Sequence, residues 1–150
     1  LLAKIDNNQF ADCVQVDLAR VCREQVALCG ELFEGRGLHA GVRLPERFTV
    51  LMNETLAEVL VSNLVRNAYI HSACGAFIDV YTEGTTLVVE NDGERRLDGD
   101  RIFERFYQGS KREGSTGLGL ALVRAVCNCY GLRAEYDFRD GRHRFRIVRP

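Results

Sequence analysis

The sequence predicts an α+β domain, a two-layer sandwich in which helices cover one face of a mixed, largely antiparallel sheet. Apolar side chains recur at helical spacing over residues 17–30, 53–71 and 121–130. Apolar and polar side chains alternate, as they do in strands, over residues 77–82, 85–90, 132–138 and 143–147. Two shorter strands, residues 37–44 and 48–52, flank Pro45.

Glycines and turn residues bound these elements. Gly30 and Gly131 are placed to end the first and the last helix, because glycine readily adopts the left-handed conformation of a helix C-terminus. Glu83-Gly84 and Asp140-Gly141 separate alternating segments and predict two hairpin turns. The order of elements is therefore helix, two strands, helix, hairpin, loop, helix, hairpin.

Composition and charge narrow the function. A chain of 150 residues suits one domain with a real core. The net charge of -1 gives no bulk attraction to nucleic acid, and no apolar run approaches the roughly 20 residues of a membrane helix. Arg142, Arg144 and Arg146 alternate along the last strand, which predicts a solvated outer face of the sheet.

The six cysteines do not have the spacing of a metal site or a disulfide framework. They form no C-x-x-C pair and have no histidine at ligand spacing. Cys22 and Cys29 are seven residues apart on one helix face, and we interpret them as small core residues. The cysteine pattern favours a reducing, cytosolic compartment.

Two motifs suggest a site for a phosphorylated ligand. Residues 114–120 form a glycine-rich loop that runs into a helix start, where backbone N–H groups and the helix dipole favour an anion. Asn63 and Asn67 lie four apart and share one face of the long helix. Their amide oxygens could ligate Mg²⁺, or both side chains could simply bond neighbouring backbone.

Two further motifs are less specific by themselves. Asn91-Asp92-Gly93 follows a strand, where it could hydrogen-bond a flat heterocycle or form an ordinary turn. Residues 102–107 form an aromatic helical turn, which is typical of core packing. In the loop after it, Lys111 and Arg112 could neutralise a bound polyphosphate or remain solvated.

In this order the four motifs resemble those of the catalytic ATP-binding domain of bacterial two-component sensor histidine kinases. That domain belongs to a superfamily with gyrase, mismatch-repair ATPases and the ninety-kilodalton heat-shock chaperone. Residues 63–68 resemble the N box, 91–93 the first glycine box, 102–107 the F box and 114–120 the second glycine box. The resemblance implies a Bergerat-type fold over residues 13–150, preceded at 1–12 by the tail of a dimerisation helix and its linker.

The resemblance also implies a role for each matching residue, with ATP and Mg²⁺ as cofactors. Asn67 would ligate the Mg²⁺ that bridges the ATP phosphates, and Asn63 would support the metal or the phosphates. Asn91, with Gly93 beside it, would accept from the adenine amino group. His71 would line the pocket, although a helix-end histidine packed on the sheet is an equally good interpretation. The remaining nucleotide contacts would come from a mobile lid and the helix start after it: Lys111, Arg112, Gly114, Thr116, Gly117, Leu118 and Gly119.

Three positions depart from the family pattern and imply weaker nucleotide binding. Asn91 stands where the family usually carries an aspartate, so the base would meet an acceptor without charge. Ile70 stands where a phosphate-contacting lysine is common, and Arg95 replaces a usual glycine.

The N box indicates phosphoryl transfer and not hydrolysis. Superfamily members that hydrolyse ATP use a glutamate at the position of Asn63, and an amide cannot take a proton from water. His39, His71 and His143 lack the acidic neighbour of a phosphoacceptor motif. We therefore expect the acceptor histidine to lie on a separate dimerisation domain.

The resemblance implies partners and a place in the cell. The partners would be the protein's own dimerisation domain and a response regulator, with no nucleic acid. The domain would be cytoplasmic, in a protein anchored in the bacterial inner membrane, and this fragment is expected to be monomeric. Two alternatives stay open: a degenerate nucleotide-binding or docking module without kinase activity, and a serine kinase of the anti-sigma type.

Overall fold

The computed structural model describes residues 1–6, 12–105 and 118–149, which contain five helices and seven strands. The helices are α1 (Leu2–Asp6), α2 (Leu18–Leu28), α3 (Gly30–Gly35), α4 (Glu54–His71) and α5 (Gly119–Cys129). The strands are β1 (Val14–Asp17), β2 (His39–Arg43), β3 (Thr49–Met52), β4 (Phe77–Glu83), β5 (Thr86–Asp92), β6 (Arg133–Arg139) and β7 (Arg142–Val148).

Five of the strands form one mixed sheet. Their order is β2-β4-β5-β7-β6, in which β2 and β4 run parallel and every other neighbouring pair is antiparallel. The hairpin turns lie where the sequence predicts them, with positive φ at Gly84, Asp140 and Gly141. The helices pack on one face of this sheet, which confirms the predicted two-layer α+β sandwich.

The N-terminal half holds an element that the sequence did not predict. β1 pairs antiparallel with β3 in a separate two-stranded sheet, so the strands on either side of Pro45 lie in different sheets. Asp17 joins this sheet to α2, because its Oδ1 accepts from Ala19 N at 3.0 Å and from Phe48 N at 2.9 Å. One carboxylate therefore caps α2 and holds the chain that leads into β3.

The first helix ends close to the predicted position, at Leu28, but the prediction that Gly30 ends it is wrong. α3 begins at Gly30 directly after Cys29, and Gly30 is not among the glycines with positive φ. Without the left-handed conformation, the chain turns through Cys29 and continues into another helix. Gly131, by contrast, has a φ of 67° and ends α5 as predicted.

The central element of the helical layer is α4. Its apolar side chains recur every three or four residues and are buried against α2, α5 and the sheet; they are Leu56, Ala57, Leu60, Val61, Leu64, Val65 and Ala68. Asn53 caps its first turn by accepting from Leu56 N at 3.1 Å. At the other end, the Arg36 guanidinium donates to the backbone carbonyls of Tyr69 and Ser72. Both ends of α4 are thus held by side chains from outside the helix or from its cap.

Of the six cysteines, Cys13, Cys74 and Cys129 are exposed, and the predicted core position is confirmed for Cys22 but only in part for Cys29. Cys22 and Cys127 are buried, and this burial raises the pKa of both thiols to about 12. Cys29 is half-buried at the end of α2. Within residues 1–6, 12–105 and 118–149, no group of three or more histidines, cysteines or carboxylates is placed to hold a metal. No helix in these ranges is long and apolar enough to span a membrane.

The outer face of the sheet carries a ladder of ion pairs centred on β7. Arg142 contacts Asp79 and Asp92 at 2.8 Å each, and Arg146 contacts Glu135 at 2.9 Å. Arg144 lies between them and is only 4% exposed, so the solvated face that the sequence predicts does not extend to it.

Arg144 is enclosed by carboxylates from three neighbouring strands. Its guanidinium lies 3.3 Å from Glu83, 3.6 Å from Glu90 and 3.6 Å from Asp137. Burial lowers the pKa of Arg144, but the hydrogen bond with Tyr81 and the charges of Tyr81, Asp137 and Glu83 outweigh it, so that the pKa is raised. The arginines are therefore neutralised inside the sheet and are not a free basic stripe.

Replacing Arg144 with methionine is expected to destabilise the domain by about 2–4 kcal/mol, because the half-buried Glu90 loses a counter-charge. Arg20→Met is the matched control, since Arg20 contacts Glu24 and Glu54 on the exposed surface and contributes little. Urea unfolding of both variants measures the difference. Equal midpoints for the two variants would contradict a structural role for the ladder.

Candidate functional site

The two asparagines of the N box lie one turn apart on α4, on the side that faces the start of α5. Asn63 Nδ2 donates to the Val59 carbonyl at 2.7 Å, which fixes the orientation of its amide. Its Oδ1 points to Gly119, where an added Cβ would lie only 3.2 Å away. The small residue at 119 therefore lets the N box and the second glycine box meet.

Asn67 differs from Asn63 in its hydrogen bonding. It is partly exposed, and its side chain makes no hydrogen bond to any part of the chain that the structure describes. One turn later, His71 ends α4 and is partly buried. Of the two asparagines, Asn67 is the one whose amide is open to a ligand.

The start of α5 completes this side of the site. Leu118 occupies the N-cap and has no polar side chain to cap the helix, so no side chain at that position bonds the first-turn N–H groups. Five predicted contacts lie outside the described residues, namely Lys111, Arg112, Gly114, Thr116 and Gly117.

Asn91 forms the other end of the site, on the inner face of β5. It is 1% exposed and lies between Ile78 of β4 and His143 of β7 in the sheet register. Its Nδ2 donates to the Asp92 carbonyl at 3.3 Å, so its Oδ1 remains the group that can accept from a ligand.

The acidic neighbour Asp92 does not replace the aspartate that the family usually carries. Its side chain lies on the opposite face of the sheet, where Oδ2 accepts from Phe77 N at 3.0 Å and Oδ1 from Arg142 at 2.8 Å. The carboxylate is therefore engaged in the outer ion-pair ladder. At this end of the candidate site, Asn91 therefore offers a neutral acceptor, with the Asp92 carboxylate on the other face of the sheet.

Gly93 is held against the β6–β7 hairpin. Its N–H donates to the Gly141 carbonyl at 2.9 Å, and an added Cβ would lie 2.1 Å from Nε2 of His143. The imidazole therefore occupies the space beside the Gly93 backbone. Only glycine fits here without movement of His143.

A buried polar pair lies behind Gly93, which the sequence did not indicate. Nδ1 of His143 lies 2.7 Å from the Tyr136 hydroxyl, which also accepts from Leu97 N at 3.0 Å. Burial lowers the pKa of His143 and raises that of Tyr136. Both residues lie in strands whose side chains alternate between the two faces of the sheet, and any side chain on the inner face is predicted to be a core residue. No sequence signal therefore separates these two from the core.

The described part of the F box belongs to the core. Ile102 and Phe103 are buried, and the Phe103 ring meets Phe145 edge-on with centroids 6.3 Å apart. The turn is closed by a bond from Ile102 N to the Asp98 carbonyl at 2.9 Å. Residues 106 and 107 lie outside the described ranges.

Taken together, the fold and these motifs define a nucleotide-binding domain of the ATPase–kinase class. A family profile described as "Histidine kinase-, DNA gyrase B-, and HSP90-like ATPase" matches residues 52–149. The chain belongs to this family, and the solved structures named below, which share its fold, are histidine kinases. Kinases of the family bind ATP.

Individual relatives agree with this assignment. The heme sensor protein HssS of Staphylococcus saprophyticus is 38% identical over 139 residues, which cover 84% of this chain. The chain spans only 29% of the length of that relative. The nucleotide-free catalytic domain of histidine kinase ThkA has the same fold, with a TM-score of 0.80 at 20% identity, over 93% of this chain and 96% of that one. The structure of ThkA in complex with the response regulator TrrA gives a TM-score of 0.73 at 18% identity, and the match covers 97% of this chain and 45% of that one.

Gly93→Ala is expected to cost about 1–3 kcal/mol of unfolding free energy, because the new methyl group meets the buried His143 ring. In a His143→Ala background the same change should cost much less, since the space beside Gly93 is then empty. A double-mutant cycle from urea unfolding measures this coupling. Additive effects of the two changes would show that His143 does not set the requirement for glycine.

Proposed function

We propose that the chain binds Mg²⁺-ATP and transfers the γ-phosphoryl group to a histidine on a separate dimerisation domain in two-component signal transduction. The observation that carries this proposal is the different state of the two N-box asparagines. Asn63 is held by Val59 and lies against Gly119, whereas the Asn67 amide makes no hydrogen bond in the described part of the chain.

Asn67 would be the protein ligand of Mg²⁺. A magnesium ion in a nucleotide site needs few protein ligands, because phosphate oxygens and water complete its octahedron. A neutral amide oxygen on a rigid helix suits this task. Asn63 would support the metal or the phosphates from one turn earlier, with its amide already oriented by the Val59 carbonyl.

The phosphates would lie at the start of α5. Its first-turn N–H groups are not capped by the side chain of Leu118, and Gly119 allows the backbone to approach α4 closely. Gly117, with Leu118 and Gly119, would present N–H groups to the phosphates. Lys111 and Arg112 would supply positive charge, and Gly114 and Thr116 would complete the loop over the nucleotide.

Adenine would bind at the opposite end, beside β5. Asn91 Oδ1 would accept from the amino group of the base, with the Gly93 backbone next to it and His71 lining the pocket. Because Asn91 carries no charge, this hydrogen bond is weaker than one to a carboxylate. We therefore expect modest affinity for nucleotide.

The same residues favour transfer over hydrolysis. Asn63 cannot act as a general base towards water, so the site offers positioning and charge neutralisation, which are the main needs of phosphoryl transfer. The acceptor would be a histidine of the protein's own dimerisation domain, and the phosphoryl group would pass on to a response regulator. Residues 1–12 would be the end of that domain and its linker, and α1 packs on α5 with Ile5 only 1% exposed.

Location and assembly complete the proposal. The domain would lie in the cytoplasm, as part of a protein anchored in the inner membrane, and the fragment would be monomeric. A second candidate is a docking module that keeps the fold without kinase activity. The engagement of Asp92 on the outer face favours it, because this carboxylate is turned away from the proposed base site.

Titration of the chain with ATP and Mg²⁺ is expected to show saturable binding at millimolar nucleotide or below. Asn67→Ala should weaken Mg²⁺-dependent binding by about tenfold or more, because the metal loses its protein ligand. Asn128→Ala is the matched control, since Asn128 is an exposed asparagine on the neighbouring helix α5. Calorimetry with and without EDTA measures both; no saturable binding by the unmodified chain would rule out the proposal for this domain.

In the full-length protein, Asn67→Ala is expected to reduce autophosphorylation from labelled ATP by at least about tenfold, in line with weaker metal binding. Signalling through the response regulator should fall with it. Signalling that persists undiminished in this variant would favour the docking module instead.

A further inference from the structure

We propose that His143 is a positioning residue of the base-binding end. With Tyr136 it holds residues 93–97 against the β6–β7 hairpin while the imidazole is neutral, and a proton on the ring weakens this hold and the binding of a purine nucleotide. The inference rests on the proposed function. It adds a residue and a pH dependence that the family resemblance does not supply.

Two attachments tie residues 93–97 to the hairpin. At the first, Gly93 N donates to the Gly141 carbonyl at 2.9 Å and the backbone packs beside Nε2 of His143. At the second, Leu97 N donates to the Tyr136 hydroxyl at 3.0 Å. The contact of 2.7 Å between Tyr136 and Nδ1 of His143 links the two. The segment that begins at Gly93 is thus held by the Gly141 carbonyl, the His143 ring and the Tyr136 hydroxyl.

The hydrogen bonds of Tyr136 bear on the state of the imidazole. Because the Tyr136 oxygen already accepts from Leu97 N, we assign its one hydrogen to Nδ1 of His143, as part of this proposal. Nδ1 is then an acceptor, and the neutral ring carries its hydrogen on Nε2. A second proton would go to Nδ1, where it faces the phenol hydrogen. The phenol would have to turn that hydrogen away, and the bond in its present direction would be lost.

The surroundings of His143 keep the ring neutral. From β6, Tyr136 and Phe138 lie against it with ring centroids 5.8 and 5.0 Å away, and Asn91 of β5 is its register partner. None of these groups is charged at neutral pH; the nearby charges of Arg96 and Asp137 act on Tyr136. Burial is the cause that lowers the pKa of His143.

The form of the ring that supports binding sets the direction of the pH dependence. The neutral ring supports the bound arrangement. The ordinary pKa of histidine is about 6.5, so the contribution of His143 to nucleotide affinity is constant well above that pH. As the pH falls through the lowered pKa of His143, the ring gains a proton and affinity falls. Nucleotide affinity therefore responds to protonation of His143, a direct neighbour of Asn91, although His143 does not itself contact the nucleotide.

The test compares the unmodified chain with His143→Asn. Asparagine keeps an acceptor near the position of Nδ1 and cannot gain a proton. Binding of a Mg²⁺-loaded non-hydrolysable ATP analogue is measured from about pH 8 to about pH 5.5, and the ratio of dissociation constants at each pH cancels the titration of the nucleotide. Over this range the unmodified chain should lose about three- to tenfold more affinity than His143→Asn. His39→Asn, at an exposed histidine of β2, should follow the unmodified chain.

A second measurement does not depend on a variant that folds. Nitrogen-15 NMR of the unmodified chain should show the Nε2–H tautomer at neutral pH. The Nδ1–H tautomer, or a flat affinity ratio between the unmodified chain and His143→Asn, would overturn the role of His143 while leaving the nucleotide site intact. No binding by the unmodified chain at any pH would overturn the proposed function and this inference together.

Discussion

The packing of α4 on the inner face of the sheet is the constraint on which the site depends. Its buried stripe fixes the rotation of the helix, because turning it would expose Leu60 and Leu64. Asn63 and Asn67 then lie along the edge that faces α5, and Arg36 holds the last carbonyls of the helix. The positions of the proposed metal ligand and of the phosphate end therefore follow from burial of apolar surface elsewhere on the same helix.

The two-layer architecture has a second consequence on the opposite face of the sheet. No helix within the described residues covers that face, so β7 places arginines there and its neighbours supply the carboxylates. Gly41 makes room for this arrangement, since an added Cβ would lie 2.5 Å from Oδ1 of Asp79. Asp92 is committed to the same network, so its carboxylate is held on the outer face and away from Asn91.

On the inner face, β5 and β7 carry the buried polar residues Asn91 and His143 side by side. Buried polar groups are costly unless they are bonded, and both have partners in the backbone or in Tyr136. The base end is therefore an ordered polar patch in an apolar layer. Its order comes from the hairpin and not from a charge, in keeping with the proposed role of Asn91 as a neutral acceptor for the base.

Local sequence patterns were enough to predict the fold class, the hairpins and the shared face of Asn63 and Asn67, because each rests on a local period or on a turn residue. Tertiary structure alone decided that β1 pairs with β3, that the chain continues helically after Gly30, and that Arg144 is enclosed by carboxylates. It also decided the contact between Gly93 and His143. These features join residues that are distant in sequence, or depend on a backbone angle that glycine permits but does not require, so no local pattern encodes them.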